Sequence, residues 1–389
     1  MPFTGKATFT AGADLPELVE DVSDIIGIVS PFETPLLDHL GDAKRASAST
    51  IHEWIEDALL PNTDAVNQAS FSPNATDATS ITVDNGARFR VGDQVKPDGA
   101  REVMLVTAIA ANVLTVTRRY GGTPGSALAD DKKLVILGNA AIEGDDRPAT
   151  QFTSRARKRN YTQIFSAAVE VSGSMRAARQ VGVADEVDFQ KQERLRELLR
   201  DLENCVINGV APAASPQGSA SVRRTLNGII PAISTNQFQP STGPIPAGGG
   251  GGTGLNEAVL NACLRAVWEQ SAGMIDTILV GGAQKRKINE FLSNSRLYAG
   301  GDERVKSQVG VYESDFGVQR VILSRWVPAD TLLLLDSSRI GVVPLQGRSF
   351  HYKPLAATGD SEAGMVLGEY TLEFKNENAH AMLRGLATS

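Results

Sequence analysis

A chain of 389 residues, 42% hydrophobic and 21% charged, has material for about two or three compact units and is not a disordered polymer. Its formal net charge of −7 works against a surface that grips phosphate backbones throughout, while leaving room for local basic patches. Cys205 and Cys263 are the only cysteines, too few and too far apart for a disulfide scaffold or a zinc cluster, so a reducing compartment fits best; no export signal and no apolar run of about 18 residues is visible.

Leu15, Leu18, Val19, Val22, Ile25 and Ile26 recur at three and four residues, with Glu17, Glu20, Asp21 and Asp24 on the other faces, which predicts an amphipathic helix with an acidic outer side. Asp14 and Glu17 form a capping-box pattern around Pro16. Pro31 and Pro35 disfavour the α conformation in the residue before each, so the helix ends at Ser30 and residues 30 to 36 are expected to be extended. Phe32, Leu36, Leu37 and Leu40 then need a place to bury, either on the chain's own core or on a neighbour's.

"STIHEWIEDALL" alternates like a strand, and residues 60 to 80 read as loop. From Ile81 to Leu137 the segments "SITVDN", "ARFRVGDQV", "EVMLVTAIAANVLTVTRRY" and "KLVIL" are broken by Asn85-Gly86, Gly92-Asp93 and Gly121-Gly122. They predict a small all-β insert of about four or five strands, carried on a long hairpin. Next, "SRARKRNYTQIFSAAVEVSGS" crowds Arg155, Arg157, Lys158 and Arg159 before Tyr161 and Phe165. Basic residues beside aromatics can mark nucleic-acid binding; the alternative is an exposed ionic strand that meets acidic surface on another subunit or on the N-terminal helix, and the acidic total favours it.

"ADEVDFQKQERLRELLRDLENCVING" is the clearest helix, with Leu195, Leu198, Leu199, Leu202 and Val206 in one stripe and Asn208-Gly209 as its stop; at the standard rise it is a rod of about 36 Å, a beam rather than a catalytic element. A loop rich in Ala, Pro, Ser and Gly leads to a helix through "LNEAVLNACLRAVWEQ". "DTILVGG" reads as a buried strand, "AQKRKINEFL" as a helix, and "GVQRVILSRWVP", "DTLLLLD" and "GVVPL" as strands, so this part is α+β. "MVLGEYTLEFKNENAHAMLRGL" gives a long strand and a final strand or turn.

Enzyme chemistry finds little support. Gly249, Gly251 and Gly254 satisfy G-x-G-x-x-G, but Pro244 and Pro246 precede a five-glycine run where the dinucleotide fingerprint needs a strand. "VGGAQKRK" lacks Walker A spacing and no G-x-S-x-G elbow occurs. His39, His52, His351 and His380 show no metal-ligand spacing and each reads as a surface or interface residue. No two carboxylates stand out as an acid and base pair. We therefore expect no catalytic, cofactor or metal residues.

"TPLLDHLG", "HEWIEDAL" and above all "NYTQIFSAAVEVSGS" leading into the charged helix, followed by "DTLLLLDSSRIGVVPLQGR" and "GEYTLEFKNENAHAMLRGL", together resemble the major capsid (major head) proteins of tailed bacteriophages. The blocks cover most of the chain and leave the β insert and the Gly-rich loop as variable parts. Ser174 stands where the family pattern has threonine and keeps the hydroxyl.

The resemblance implies an α+β Hong Kong 97 phage-type shell fold. It would comprise an N-terminal arm at 1–47 and an extended loop at 48–155, with its insert at about 78–140. A peripheral domain would follow at 156–225 with a spine helix at 184–208, then an axial domain at 226–343 and return strands of the peripheral domain at 344–389. It further implies self-assembly into an icosahedral head of pentamers and hexamers that encloses double-stranded DNA without binding it tightly. A portal protein, a separate scaffolding protein and, as an open matter, a decoration protein would be partners, with no membrane. Assembly would take place in the host cytoplasm and the product would be the virion capsid. Phe32, Leu36, Leu37, Leu40, Trp54, Arg155, Arg157, Lys158 and Arg159 are then the candidate inter-subunit contacts. The rival readings are an encapsulin-type shell around protein cargo, with the same fold but usually no insert in the loop, and a nucleotide-dependent enzyme resting on the glycine run alone.

Overall fold

The computed structural model describes residues 33–41, 45–144, 150, 152–153, 155–177, 185–271, 273–295, 310–356 and 359–388. The expected acidic helix and Phe32 lie outside them. The chain divides into two compact units, Met1–Trp54 with Lys158–Ser389, and Ile55–Arg157.

The first described element is a helix, α1 (Pro35–Leu40), where extended backbone was expected through residue 36. Pro35 is the reason: its missing N–H costs nothing at the first helical position and its fixed φ suits the first turn. Thr34 stays outside the α region at φ −124°, as a residue before proline must. Strand β1 (Ile51–Glu56) follows.

The second unit is a sheet built from β2 (Thr63–Ala65), β3 (Ser80–Thr82), β4 (Asp93–Pro97), β5 (Met104–Ala110), β6 (Val113–Thr117) and β7 (Lys133–Asn139), in the order β2-β7-β4-β5-β6-β3. Each neighbouring pair is antiparallel. Five of these strands, β3 to β7, fall in the stretch read as the insert, and a sixth, the three-residue β2, lies before it in residues read as loop, whose polar, Pro-containing composition hides it. Burial alternates along β4, and Val66, Ile81, Val95, Met104, Val106, Leu114 and Leu134 share one core. Gly86 is required for a close approach, since a Cβ there would lie 2.0 Å from the Ala111 carbonyl oxygen.

Back in the first unit, β8 (Ala156–Tyr161) pairs with β1, and β9 (Gln163–Ser172) runs into a short helix, α2 (Gly173–Ala177). The long helix α3 (Glu186–Asn208) is capped by the Asp185 carboxylate, which accepts from the Val187 N–H at 2.9 Å. Its stop, Gly209, is not left-handed; a Cβ would meet the Cys205 carbonyl oxygen at 2.4 Å. Beyond lie α4 (Ile229–Ala232), β10 (Gln237–Phe238), α5 (Glu257–Gln270), β11 (Thr277–Val280), α6 (Gly282–Ser295), β12 (Val311–Ser314), β13 (Gly317–Leu323), β14 (Leu332–Leu335), β15 (Ile340–Pro344), β16 (His351–Pro354), β17 (Ser361–Phe374) and β18 (Ala381–Leu383).

Two sheets organise this unit. In one, β17 pairs with β9 over ten positions, from Ser361 opposite Ser172 to Tyr370 opposite Gln163, and takes β15 and β16 on its other edge. Helix α3 packs against β9. The other sheet runs β10-β18-β14-β11-β13-β12. Its strands are apolar on both faces: Leu279, Leu333, Leu335 and Met382 join the core that includes Leu198, Leu202 and Val206 of α3. Ile278, Leu332, Leu334 and Leu383 join a second core with Val259, Leu260 and Val267 of α5. Burial on both faces explains why "LLLL" shows no alternation. The chain crosses between sheets near its end: β15 belongs with β17, and β18 leaves that sheet to pair with β14 and β10, although residues 344–389 were expected to return together.

Candidate assembly surfaces

Strand β17 carries "GEYTLEF", in which Tyr370, Leu372 and Phe374 alternate with Glu369, Thr371 and Glu373. The polar face is buried as completely as the apolar one, so every group on it needs a partner. Glu369 pairs with Arg224 at 2.5 Å and Arg348 at 2.8 Å, and accepts from the Thr162 hydroxyl at 2.6 Å. The Thr371 hydroxyl donates to the Tyr161 carbonyl. Glu373 pairs with Arg45 at 2.6 Å, Lys375 at 2.6 Å and His52 at 3.0 Å. Burial alone would raise Glu373, but hydrogen bonds from Lys375 and His52 and the charges of Lys375 and Arg45 outweigh it and hold the carboxyl below its usual range. Ser47 adds backbone hydrogen bonds with Pro344 and Gln346. These contacts fix the described end of the arm and the roots of β1 and β8 to one rigid strand.

Helix α1 is seated on its own subunit. Leu36 is 1% exposed in the core beside α3, and Leu37 and Leu40 pack against that core half-buried. Of the two places the sequence leaves open for Leu36, its own core or a neighbour's, its side chain takes the first in this chain. Polar contacts pin the helix, with Arg325 on Glu33 at 3.0 Å and the His39 ring on the Thr277 hydroxyl at 2.8 Å. The Glu203 carboxylate accepts from the N–H groups of Leu36 and Leu37.

The β1–β8 ribbon carries the other predicted residues. Trp54 is half-buried, its ring centroid 5.9 Å from that of His52. Arg155, Arg157, Lys158 and Arg159 are all exposed, and Arg155 stands 3.7 Å from Asp57. A strand turns successive side chains to opposite faces, so the basic run divides between two faces rather than forming one phosphate-gripping patch. Exposed apolar side chains crowd the flanking linkers: Leu59 is 91%, Phe152 86% and Ile142 76% exposed. The sequence reading missed these linker residues, whose apolar character was visible but whose exposure was not.

The glycine run spends its backbone on itself. Gly248 N–H donates to Gly252, and Gly249 and Gly254 exchange both hydrogen bonds, so these groups are not free to cradle phosphate. Of the histidines, His380 departs from the surface reading. It is fully buried, stacked on Phe374 with centroids 4.2 Å apart, and burial pushes it down to about 4. Among the described residues no group of three His, Cys, Asp or Glu could hold a metal ion, and no helix is long and apolar enough to cross a membrane.

The fold is that of phage capsid proteins. The capsid of cyanophage A-1(L) superimposes with a TM-score of 0.52 at 12% identity over 95% of this chain and 97% of that one; the capsid of the native GTA particle gives 0.51 at 10% over 97% and 99%. The chain belongs to the SU10 major capsid protein family, whose sequence profile matches residues 2–387. It is also 25% identical to the major capsid protein of Pseudomonas phage PaMx41 over 166 residues, 43% of this chain and 39% of that protein, so the alignment spans well under two thirds of that relative.

Proposed function

We propose that this chain is the major capsid protein of a tailed phage, assembling through pentamers and hexamers into an icosahedral head that encloses double-stranded DNA. The family match along nearly the whole chain carries this reading, and because it runs through the insert it favours a phage head over an encapsulin-type compartment. The role is structural, not enzymatic. Residues 1–47 act as the arm, β1 and β8 as the stem of the extended loop, the second unit as its insert, α3 as the spine, and the two sheets of the first unit as peripheral and axial parts. Phe32, Trp54, Leu37, Leu40 and the exposed basic residues are contacts to neighbours, joined by Leu59, Ile142 and Phe152. Assembly takes place in the host cytoplasm with a portal and a separate scaffolding protein.

Many modest contacts repeated by symmetry suffice to close such a shell. A net charge of −7 keeps packaged DNA mobile against the wall. Electron microscopy and sedimentation of the purified protein test the reading: hollow icosahedral particles or rings of five and six subunits are expected, and a stable monomer under all assembly conditions would overturn it. Shells lacking residues 60–141 are expected to be mechanically weaker; full-strength shells would remove any bracing role for the insert.

A further inference from the structure

The buried glutamates of the first unit are not alike. Glu369 and Glu373 each face two or more cationic side chains. Glu203 is 0% exposed, yet among the described residues no Lys, Arg or His pairs with it. It lies on the apolar stripe of α3, between Leu202 and Val206, where burial of a bare charge is costly. Among the described residues its partners are neutral and distant for charge-assisted bonds: the N–H of Leu36 at 3.2 Å, the N–H of Leu37 at 3.3 Å and the Ser324 hydroxyl at 3.4 Å. Two of these three belong to α1, so undocking α1 removes most of what the carboxyl is bonded to.

We propose that Glu203 is the release of a latch: protonated, it holds α1 on the subunit's own core, and ionised, it loosens α1 and frees residues 33–41 to move. The charged groups on the surrounding elements fit this. On α1, Asp38 repels the ionised carboxylate. On α3, Arg200 and Asp201 are paired with each other, and after β13 Arg325 is paired with Glu33. At the far end of α1, His39 meets Thr277 and Arg320. Burial pushes Glu203 up to about 7; the N–H groups of Leu37 and Leu36 and the Ser324 hydroxyl draw it partly back, and Asp38 pushes it further up.

The docked value lies above the exposed one of 4.5, so docking is strongest below pH 4.5, weakens as pH rises toward 7, and is constant above. His39 acts with the opposite sign. Burial, and then the Arg320 charge, lower it from 6.5, so its contribution is present above pH 6.5 and lost as pH falls through the docked value. Between pH 6 and pH 8.5 Glu203 alone raises the opening equilibrium of α1 about tenfold, and His39 offsets part of that rise, leaving a net several-fold increase.

The test is hydrogen–deuterium exchange of the peptide spanning residues 33–41 in the full-length protein, corrected for intrinsic rate. Wild type is expected to lose protection several-fold from pH 6 to pH 8.5, and Glu203→Gln, held neutral, to lose none, because His39 alone then acts in the opposite direction. A flat wild-type profile, or the same loss in Glu203→Gln, would overturn the proposal. Should that variant not fold, infrared titration of wild type carrying 13C-labelled glutamate decides: a carboxyl titrating near 7 supports the latch, and its absence sinks it. Neither measurement depends on shell formation.

Discussion

Glu102 and Glu203 bury the same side chain equally, both at 0% exposure, and end at opposite extremes. Glu102 would also be raised by burial, but it receives Arg118 through two bonds at 2.8 and 2.7 Å, the Ser126 N–H and hydroxyl, and the Arg119 N–H. These hold it at about 2. Its folded value is depressed, so its stabilisation is present above pH 4.5 and is lost as pH falls from there toward 2. Acid unfolding followed by exchange of the β5 and β6 amides should show the second unit weakening through that window. Arg118→Met strands the carboxylate and is expected to cost the second unit about 3–5 kcal/mol, readable as a shifted denaturation midpoint. In sequence, Glu203 was detectable as a charge interrupting an apolar stripe. Glu102 was not, because its partners come from loops that only tertiary structure brings together.

Single elements respond to what covers them. Gly364 and Gly368 in β17 look like weak points of a strand, but the Tyr352 and Phe350 rings of the neighbouring segment lie where their side chains would be, 2.1 and 2.4 Å from an added Cβ. Gly368→Ala should therefore displace Phe350 from its contacts with Phe165 and Tyr370 and cost about 1–3 kcal/mol in a thermal melt. The ribbon behaves oppositely. Lys158→Glu with Arg159→Glu changes two exposed positions and should leave stability within about 0.5 kcal/mol. The same change should raise the protein concentration needed for particles to form, as measured by light scattering. Periodicity revealed α3 and α5 because each has one long covered face. It failed at α1, where Pro35 was read only as a bar to helix in Thr34 and instead opens the helix, and at β2, too short to carry a period.

At the scale of the molecule, each unit has its own core, so full-chain calorimetry should resolve two transitions rather than one. Arg118→Met should lower only the one that belongs to the second unit, and a single transition lowered as a whole would contradict separate cores. The division into a sheet-rich insert and an α+β remainder was legible from composition and turn spacing. The destination of the last strand was not, since nothing local tells β18 which sheet to join.

That last strand has a consequence for synthesis. β10 at residues 237–238 and β14 at 332–335 both wait for Ala381–Leu383, and β9 waits for Ser361–Tyr370 of β17. Pairings of such sequence separation form late and slowly. A nascent chain cannot finish one sheet of the first unit until Phe374 has left the ribosome, or the other until Leu383 has. Prematurely terminated products therefore lack the finished surfaces on which a neighbour would dock, and translation itself screens broken subunits out of the assembly line.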